Sequence, residues 1–309
     1  MRVAATSISA GQLAKNNVSK NCDWPYYHVN EYVRLAEYDP NLVYVGGWFV
    51  GNYANLQIQK AIIGSAEKVI IHWYGSDTLI CREFYRRGAR QFIEELKSDR
   101  FVNIPANDVL KKELKEWFDL DTTEPLNVPA ETTYLEMEKP KEFTVGVYMP
   151  CERLDFFQMD AVCEALAPLD AKTIFYHWLP MTQDMPKLYG QRYAGYAEYR
   201  YGLNRDEYRK TIADCSCLVR VPQHDAYSIS GAEFLMAGRP VVSNQDYPLY
   251  PKLIEGEDTV DSLRAAVEKC RTLTVDKEVQ EYYRDRWSPD KFKGRLEERC
   301  REKWPELTF

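Results

Sequence analysis

Asp225 and Glu233 stand eight positions apart, one in a loop after an apolar run and the other in the short helical stretch that follows. The text reads Gln223-His-Asp-Ala-Tyr-Ser-Ile-Ser-Gly-Ala-Glu233-Phe-Leu-Met-Ala-Gly238-Arg-Pro-Val-Val-Ser243. Leu218–Val221 reads as a buried parallel strand and Pro240–Ser243 as the start of the next one. Between them Ser228 or Ser230 is a cap for a helix that ends at Gly238, where a left-handed residue is wanted. This arrangement puts Asp225 at the carboxyl end of a strand and Glu233 in the first turn of the next helix. The free N–H groups of that helix suit a phosphate, and the flanking carboxylates suit sugar hydroxyls. The same residues also fit a capping box from Ser230 to Glu233, with His224-Asp225 as an ordinary polar loop.

The segment resembles the Glu-x(7)-Glu motif of retaining glycosyltransferases with the two-domain B-type fold, and Ala237-Gly238-Arg239-Pro240-Val241-Val242 is similar to that family's ending of the motif. Asp225 stands where the family has Glu, one methylene shorter. The resemblance implies that Glu233 grips the ribose of a nucleotide and that Asp225 contacts the donor sugar. Tyr227, Ser228 and Ser230 then belong to the donor site. It also implies a basic residue in the loop after the first strand of the second domain to neutralise the leaving diphosphate. Arg153 is the candidate there, since a guanidinium is permanently charged and binds phosphate oxygens in pairs; Lys187 and Arg192 are runners-up. Arg220, read as inside a strand, either faces the site or sits at an edge.

His72-Trp-Tyr-Gly-Ser-Asp77 ends another apolar strand and is similar to a turn that lies near donor sugar and acceptor in some B-type enzymes. His72 and Asp77 are therefore expected at the mouth of the cleft as catalytic candidates, the alternative for Asp77 being an N-cap. Arg82, Arg86, Arg87 and Arg90 recur on or near one helical face. They read either as a solvated surface or as an acceptor-docking patch for a phosphate-rich partner, DNA or an anionic lipid headgroup. Asp119-Leu-Asp121 matches the metal-binding DxD of A-type glycosyltransferases but lacks the preceding apolar strand, and no metal site is expected. Gly46-Gly47 with Gly51 reads as a tight turn and not as a dinucleotide fingerprint.

The elements that must position these residues alternate along the chain. Arg2–Ile8, Leu42–Val45, Lys68–His72 and Phe101–Ile104 read as strands, with helices around Ala54–Ile63, Leu79–Leu96 and Asp108–Phe118. Asp119–Lys141, with Pro125, Pro129 and Pro140, is acidic, aperiodic and reads as a linker with one short strand. Phe143–Tyr148 opens a second alternation with Gln158–Leu166, Lys172–Tyr176, Arg205–Asp214, the motif unit and Asp261–Leu273. Ser288–Lys303 is a last helix. The expected fold is α/β: two Rossmann-like domains facing a cleft, residues 1–139 on the acceptor side and 140–288 binding the nucleotide sugar. The C-terminal helix, 289–309, crosses back to the first domain.

At 309 residues and 45% apolar composition the chain is globular throughout. A net charge of −7 provides no general attraction to nucleic acid or acidic membranes. Eight scattered cysteines without a CxxC pair, and four histidines, give no zinc spacing and fit a reduced compartment. No run approaches the roughly 20 apolar residues of a membrane span, and no signal sequence is read at the amino terminus; the expected location is cytoplasmic. The expected function is transfer of a sugar from a nucleotide-diphosphate donor, a UDP-sugar, to an acceptor hydroxyl, retaining and metal-independent, with no other cofactor. The acceptor is a glycan, lipid or small molecule, or alternatively a hydroxylated pyrimidine in DNA. A sugar-binding module and a sugar-nucleotide epimerase of the same fold are further alternatives. Oligomeric state is not legible.

Overall fold

The structure is a computed structural model that describes residues 1–7, 18, 21–48, 53–87, 90–130, 137–150, 154–180, 197–225, 228–257 and 259–307. The chain divides into two compact units, Met1–Pro129 with Arg286–Phe309, and Ala130–Asp285.

The first unit is built on β1 (Val3–Ser7), β2 (Tyr26–His28), β3 (Leu42–Gly46), β4 (Lys68–Trp73) and β5 (Phe101–Pro105), all parallel in the order β2-β1-β3-β4-β5. Its helices are α1 (Tyr32–Tyr38), α2 (Tyr53–Gly64), α3 (Ser76–Arg86), α4 (Gln91–Glu95) and α5 (Asp108–Phe118). Side chains of alternate strand residues point to opposite faces, and both faces here are covered. Val43, Val45, Val69 and Ile71 pack with Leu35, Ile62, Cys81, Leu114 and Phe118. Leu42, Tyr44, Ile70 and Val102 pack instead with Phe292, Leu296 and Cys300. This two-sided burial is why the strands read as unbroken apolar runs.

The second unit holds β6 (Thr144–Tyr148), β7 (Lys172–His177), β8 (Ala197–Tyr201), β9 (Cys217–Val219) and β10 (Val241–Val242), parallel in the order β10-β9-β6-β7-β8. It carries α6 (Met159–Leu166), α7 (Arg205–Asp214), α8 (Ile229–Met236), α9 (Val260–Lys269) and α10 (Lys277–Arg286), after which α11 (Pro289–Lys303) returns to the first unit's core. Both units are thus Rossmann-like α/β layers, as expected.

Several expectations need correction. The helix expected over 79–96 is two helices, with Arg87 capping α3 and Arg90 at the N-cap of α4. Among the described residues of 119–141 no strand forms. β8 was missed because it is an edge strand whose Glu198 and Arg200 form ion pairs and obscure the apolar pattern. Among the described residues no helix is long and apolar enough to cross a membrane.

Candidate active site

In the second unit's own count the strand order reads 3-2-1-4-5, and the direction of winding reverses between β6 and β9. In such sheets ligands bind outside the carboxyl ends of the strands at this switch point. Tyr148 ends β6, and Arg220 directly follows β9, one step beyond the paired residues Val147 and Val219. The Arg220 guanidinium lies 4.4 Å from the Tyr148 ring centre and 5.1 Å from that of Phe157. Its Nε donates to Asp225 Oδ2 at 2.8 Å, and Nη2 forms an ion pair with the same oxygen at 2.7 Å. Burial opposes the charge on Arg220, but Asp225 and Tyr148 outweigh it, so its pKa stands above the ordinary value. Arg220 is therefore neither inside the strand nor at a sheet edge. His177, at the end of β7, is pushed down to about 4 by burial and by Arg220, and is neutral at physiological pH.

α8 begins beside this pair. Ser228 is its N-cap, in extended conformation, with Oγ accepting from Gly231 N at 2.9 Å, and Ser230 Oγ donates to Ser228 Oγ at 3.3 Å. The Tyr247 hydroxyl lies 3.1 Å from Ser228 Oγ. It also lies 2.2 Å from where a Cβ on residue 231 would be, so the helix admits only glycine there without rearrangement. Gly238 closes the helix at φ +71, as its position after the apolar stretch implied.

The capping box from Ser230 to Glu233 does not form. With Ser228 as the cap, the third helical residue is Gly231, and Glu233 falls at the fifth, in the second turn rather than the first. Its side chain has no solvent exposure, and Oε1 accepts from Arg205 Nη2 at 2.7 Å. Arg205 is the first residue of α7, held there by a capping box between Asn204 and Glu207. The Arg205 guanidinium lies 6.0 Å from the Trp178 ring centre and 5.8 Å from that of Tyr208. The second unit thus brings together two carboxylates, two guanidinium groups and several aromatic rings at the carboxyl edge of its sheet.

His72 and Asp77 lie in the first unit and are not at an open mouth: both are buried. His72 Nε2 lies 2.7 Å from the Leu126 carbonyl, which can only accept, so Nε2 carries the proton and Nδ1 accepts from Tyr44 at 2.7 Å. With both nitrogens engaged, and its pKa pushed down to about 4 by burial, the imidazole serves the core. Asp77 accepts from the backbone N–H groups of Trp48, Tyr74, Gly75 and Thr78. Burial raises its carboxyl pKa against the pull of those donors. The N-cap of α3 is Gly75, so Asp77 ties the β3 and β4 loops together from the second helical position.

Arg82 and Arg86, four apart, share a face of α3, but Arg87 caps that helix and Arg90 belongs to the start of α4. Arg82 stacks on Trp117 at 4.1 Å, Arg86 pairs with Glu83 at 3.5 Å, and Arg90, beyond α3, lies 5.5 Å from the Tyr85 ring centre. Asp119 and Asp121 both pair with Lys115, at 2.7 and 3.0 Å. Arg153, Lys187, Arg192, Tyr227 and Gly51 lie outside the described residues. Sequence reading missed Arg205, Tyr148 and Tyr247; the Asn204–Glu207 capping pattern was the one local signal that marked the helix start carrying Arg205.

No family model matches the sequence, and no curated protein matches it. Among solved structures the chain is similar to Anabaena HepE in complex with UDP and glucose, at TM-score 0.72 and 12% identity over 99% of this chain and 100% of that one. It is similar to sucrose-phosphate synthase from Thermosynechococcus elongatus at TM-score 0.68 and 9% identity, over 90% and 78% of the two chains. It is also similar to the pneumococcal O-GlcNAc transferase GtfA in complex with UDP and GlcNAc, at TM-score 0.61 and 12% identity, over 88% of this chain and 59% of that one. The fold is accordingly that of the two-domain B-type glycosyltransferases, with two parallel-sheet Rossmann-like domains.

Proposed function

We propose that the protein is a glycosyltransferase that takes its sugar from a nucleotide-diphosphate donor. The observation that carries this reading is the placement of Asp225 and Glu233 on either side of a capped helix start, at the switch point of the second sheet. An anionic diphosphate suits the amino end of α8. Glu233 would take the ribose hydroxyls and Asp225 the sugar. A ribose reaching Glu233 would displace Arg205, whose side chain is 39% exposed. Fixed positive charge near the leaving diphosphate supplies electrostatic stabilisation as the glycosidic bond breaks. Arg153 and Lys187 are proposed for that role from the sequence alone.

The donor is proposed to be a UDP-sugar because HepE and GtfA, whose fold this chain shares, bind UDP. Retention and metal independence belong to the same proposal: the acceptor attacks from the leaving-group face and its proton passes to the departing phosphate. Thermal shift with a panel of UDP-, GDP- and ADP-sugars tests the reading, since a bound donor raises stability by mass action. A UDP-sugar is expected to raise Tm, and product analysis then to show sugar transfer. A panel without any shift overturns the proposal. Binding without transfer or hydrolysis would leave a sugar-binding module, and an altered sugar still on its nucleotide would leave an epimerase.

A further inference from the structure

Arg220 is an expensive group to bury. Its side chain is 12% exposed and that of Asp225 19%, and a buried ion pair stabilises a fold little or no better than apolar residues of the same volume. Stability is therefore a poor account of it. The surrounding bonds point instead to precision in placing Asp225. Gln158 Nε2 donates to the Val221 carbonyl at 3.0 Å, Asn244 Nδ2 to the Pro222 carbonyl at 2.8 Å, and Gln223 N to the Phe156 carbonyl at 2.7 Å. Three consecutive residues between Arg220 and Asp225 are thus pinned to α6's approach and to the loop after β10. Tyr148 and Phe157 flank the guanidinium itself. The fork then holds a single carboxylate oxygen, Oδ2, by a hydrogen bond from Nε and an ion pair with Nη2.

We propose that Arg220 is a positioning residue that holds the Asp225 carboxylate as an acceptor for donor-sugar hydroxyls, the two side chains reading the sugar as one unit. This rests on the glycosyltransferase reading of the same site. A carboxylate held by a rigid fork loses little freedom when a hydroxyl donates to it, and that preorganisation appears as sugar affinity. The nucleotide half of the donor makes no demand on this pair.

The test compares UDP with the UDP-sugar identified by the panel, for wild type and for Arg220→Met, Arg220→Lys, Asp225→Asn and the Arg220→Met/Asp225→Asn double variant. Met keeps an unbranched stem between the two rings and removes the fork. Arg220→Met is expected to bind UDP as wild type does and to weaken the UDP-sugar, in affinity and KM, by about 10- to 100-fold, the worth of a hydrogen bond to a charged group. Lys keeps the charge without the planar fork and should recover only part of that loss. The double variant should be no worse than Asp225→Asn alone. Equal losses for UDP and UDP-sugar would show a merely structural role and overturn the inference, as would unchanged UDP-sugar affinity in a folded Arg220→Met protein. If Met does not fold, full sugar discrimination by Arg220→Lys overturns it equally. A wild type that binds no nucleotide sugar removes the glycosyltransferase reading and the inference with it, whereas a wild type that discriminates isolates the question to Arg220.

Discussion

Glu233 has no solvent exposure and is held at 2.7 Å by Arg205, whose side chain is 39% exposed. The pair is asymmetric, and so are the consequences of breaking it. Arg205→Ala strips a buried carboxylate of its guanidinium, whereas Glu233→Gln leaves a guanidinium that reaches water. Arg205→Ala should cost about 2 kcal/mol or more and Glu233→Gln about 1 kcal/mol. Denaturant melts of the two variants check the order; the reverse order would mean that Glu233 does not depend on Arg205. Glu233→Gln should in addition weaken UDP binding by about tenfold, measured by titration.

Gly231→Ala places a methyl group 2.2 Å from the Tyr247 hydroxyl and 2.7 Å from its ring carbon. Tyr247 must leave, and its contact with Ser228 goes with it. A loss of about 1–3 kcal/mol is expected, as for other overpacked sites. Adding Tyr247→Ala should cost less than the sum of the two single changes. Strict additivity in urea melts would show that the two residues do not meet.

Acid should destabilise the protein before most carboxylates titrate. His72 and His177 have pKa values of about 4 in the fold against an ordinary 6.5. Between those limits the unfolded chain binds protons that the native chain refuses, so stability falls as pH drops from about 6.5 toward 4. The slope is at most about 1.4 kcal/mol per pH unit for each histidine. Glu198, held down to about 2 by Arg200 and Lys172, adds its own loss only at lower pH. Melts from pH 7.5 to 4.5 should show the decline, and His72→Gln should flatten it. An unchanged slope in that variant would place the acid sensitivity elsewhere.

Turnover should survive chelation. Both carboxylates of the Asp119-Leu-Asp121 sequence are taken by Lys115, and that of Asp119 is held below its usual range by it. Activity abolished by EDTA and restored by Mg²⁺ or Mn²⁺ would show instead that the transfer runs through a metal.

DNA should not bind at moderate salt. Arg82 stacks on Trp117, Arg86 pairs with Glu83, and α3 ends at Arg86, so the basic run on that helix is two residues long. An electrostatic DNA site loses affinity with a log–log salt slope of about −0.9 for each phosphate neutralised. Such a slope, flattened by Arg82→Ala with Arg86→Ala, would revive the hydroxylated pyrimidine as acceptor.

Local pattern alone determined most of the strand–helix alternation, a serine cap at 228 or 230 and the Gly238 stop, because apolar periodicity, capping and left-handed backbone are set by neighbours in the chain; the fold chose Ser228. Asp108–Phe118 and Arg205–Asp214 fall where the sequence places them. Tertiary structure decided which ends of those elements meet. His72 looks like a site residue in its local text, but Tyr44 and Leu126 are 28 and 54 positions away, and they make it a neutral core group. Arg205 looks like an ordinary first residue of a helix until the sheet brings it to Glu233, 28 positions on. The strand order that sets β6 beside β9 also placed Arg220 between Tyr148 and Phe157. A charged side chain takes its character from its partner and its exposure, and both come from contacts distant in sequence.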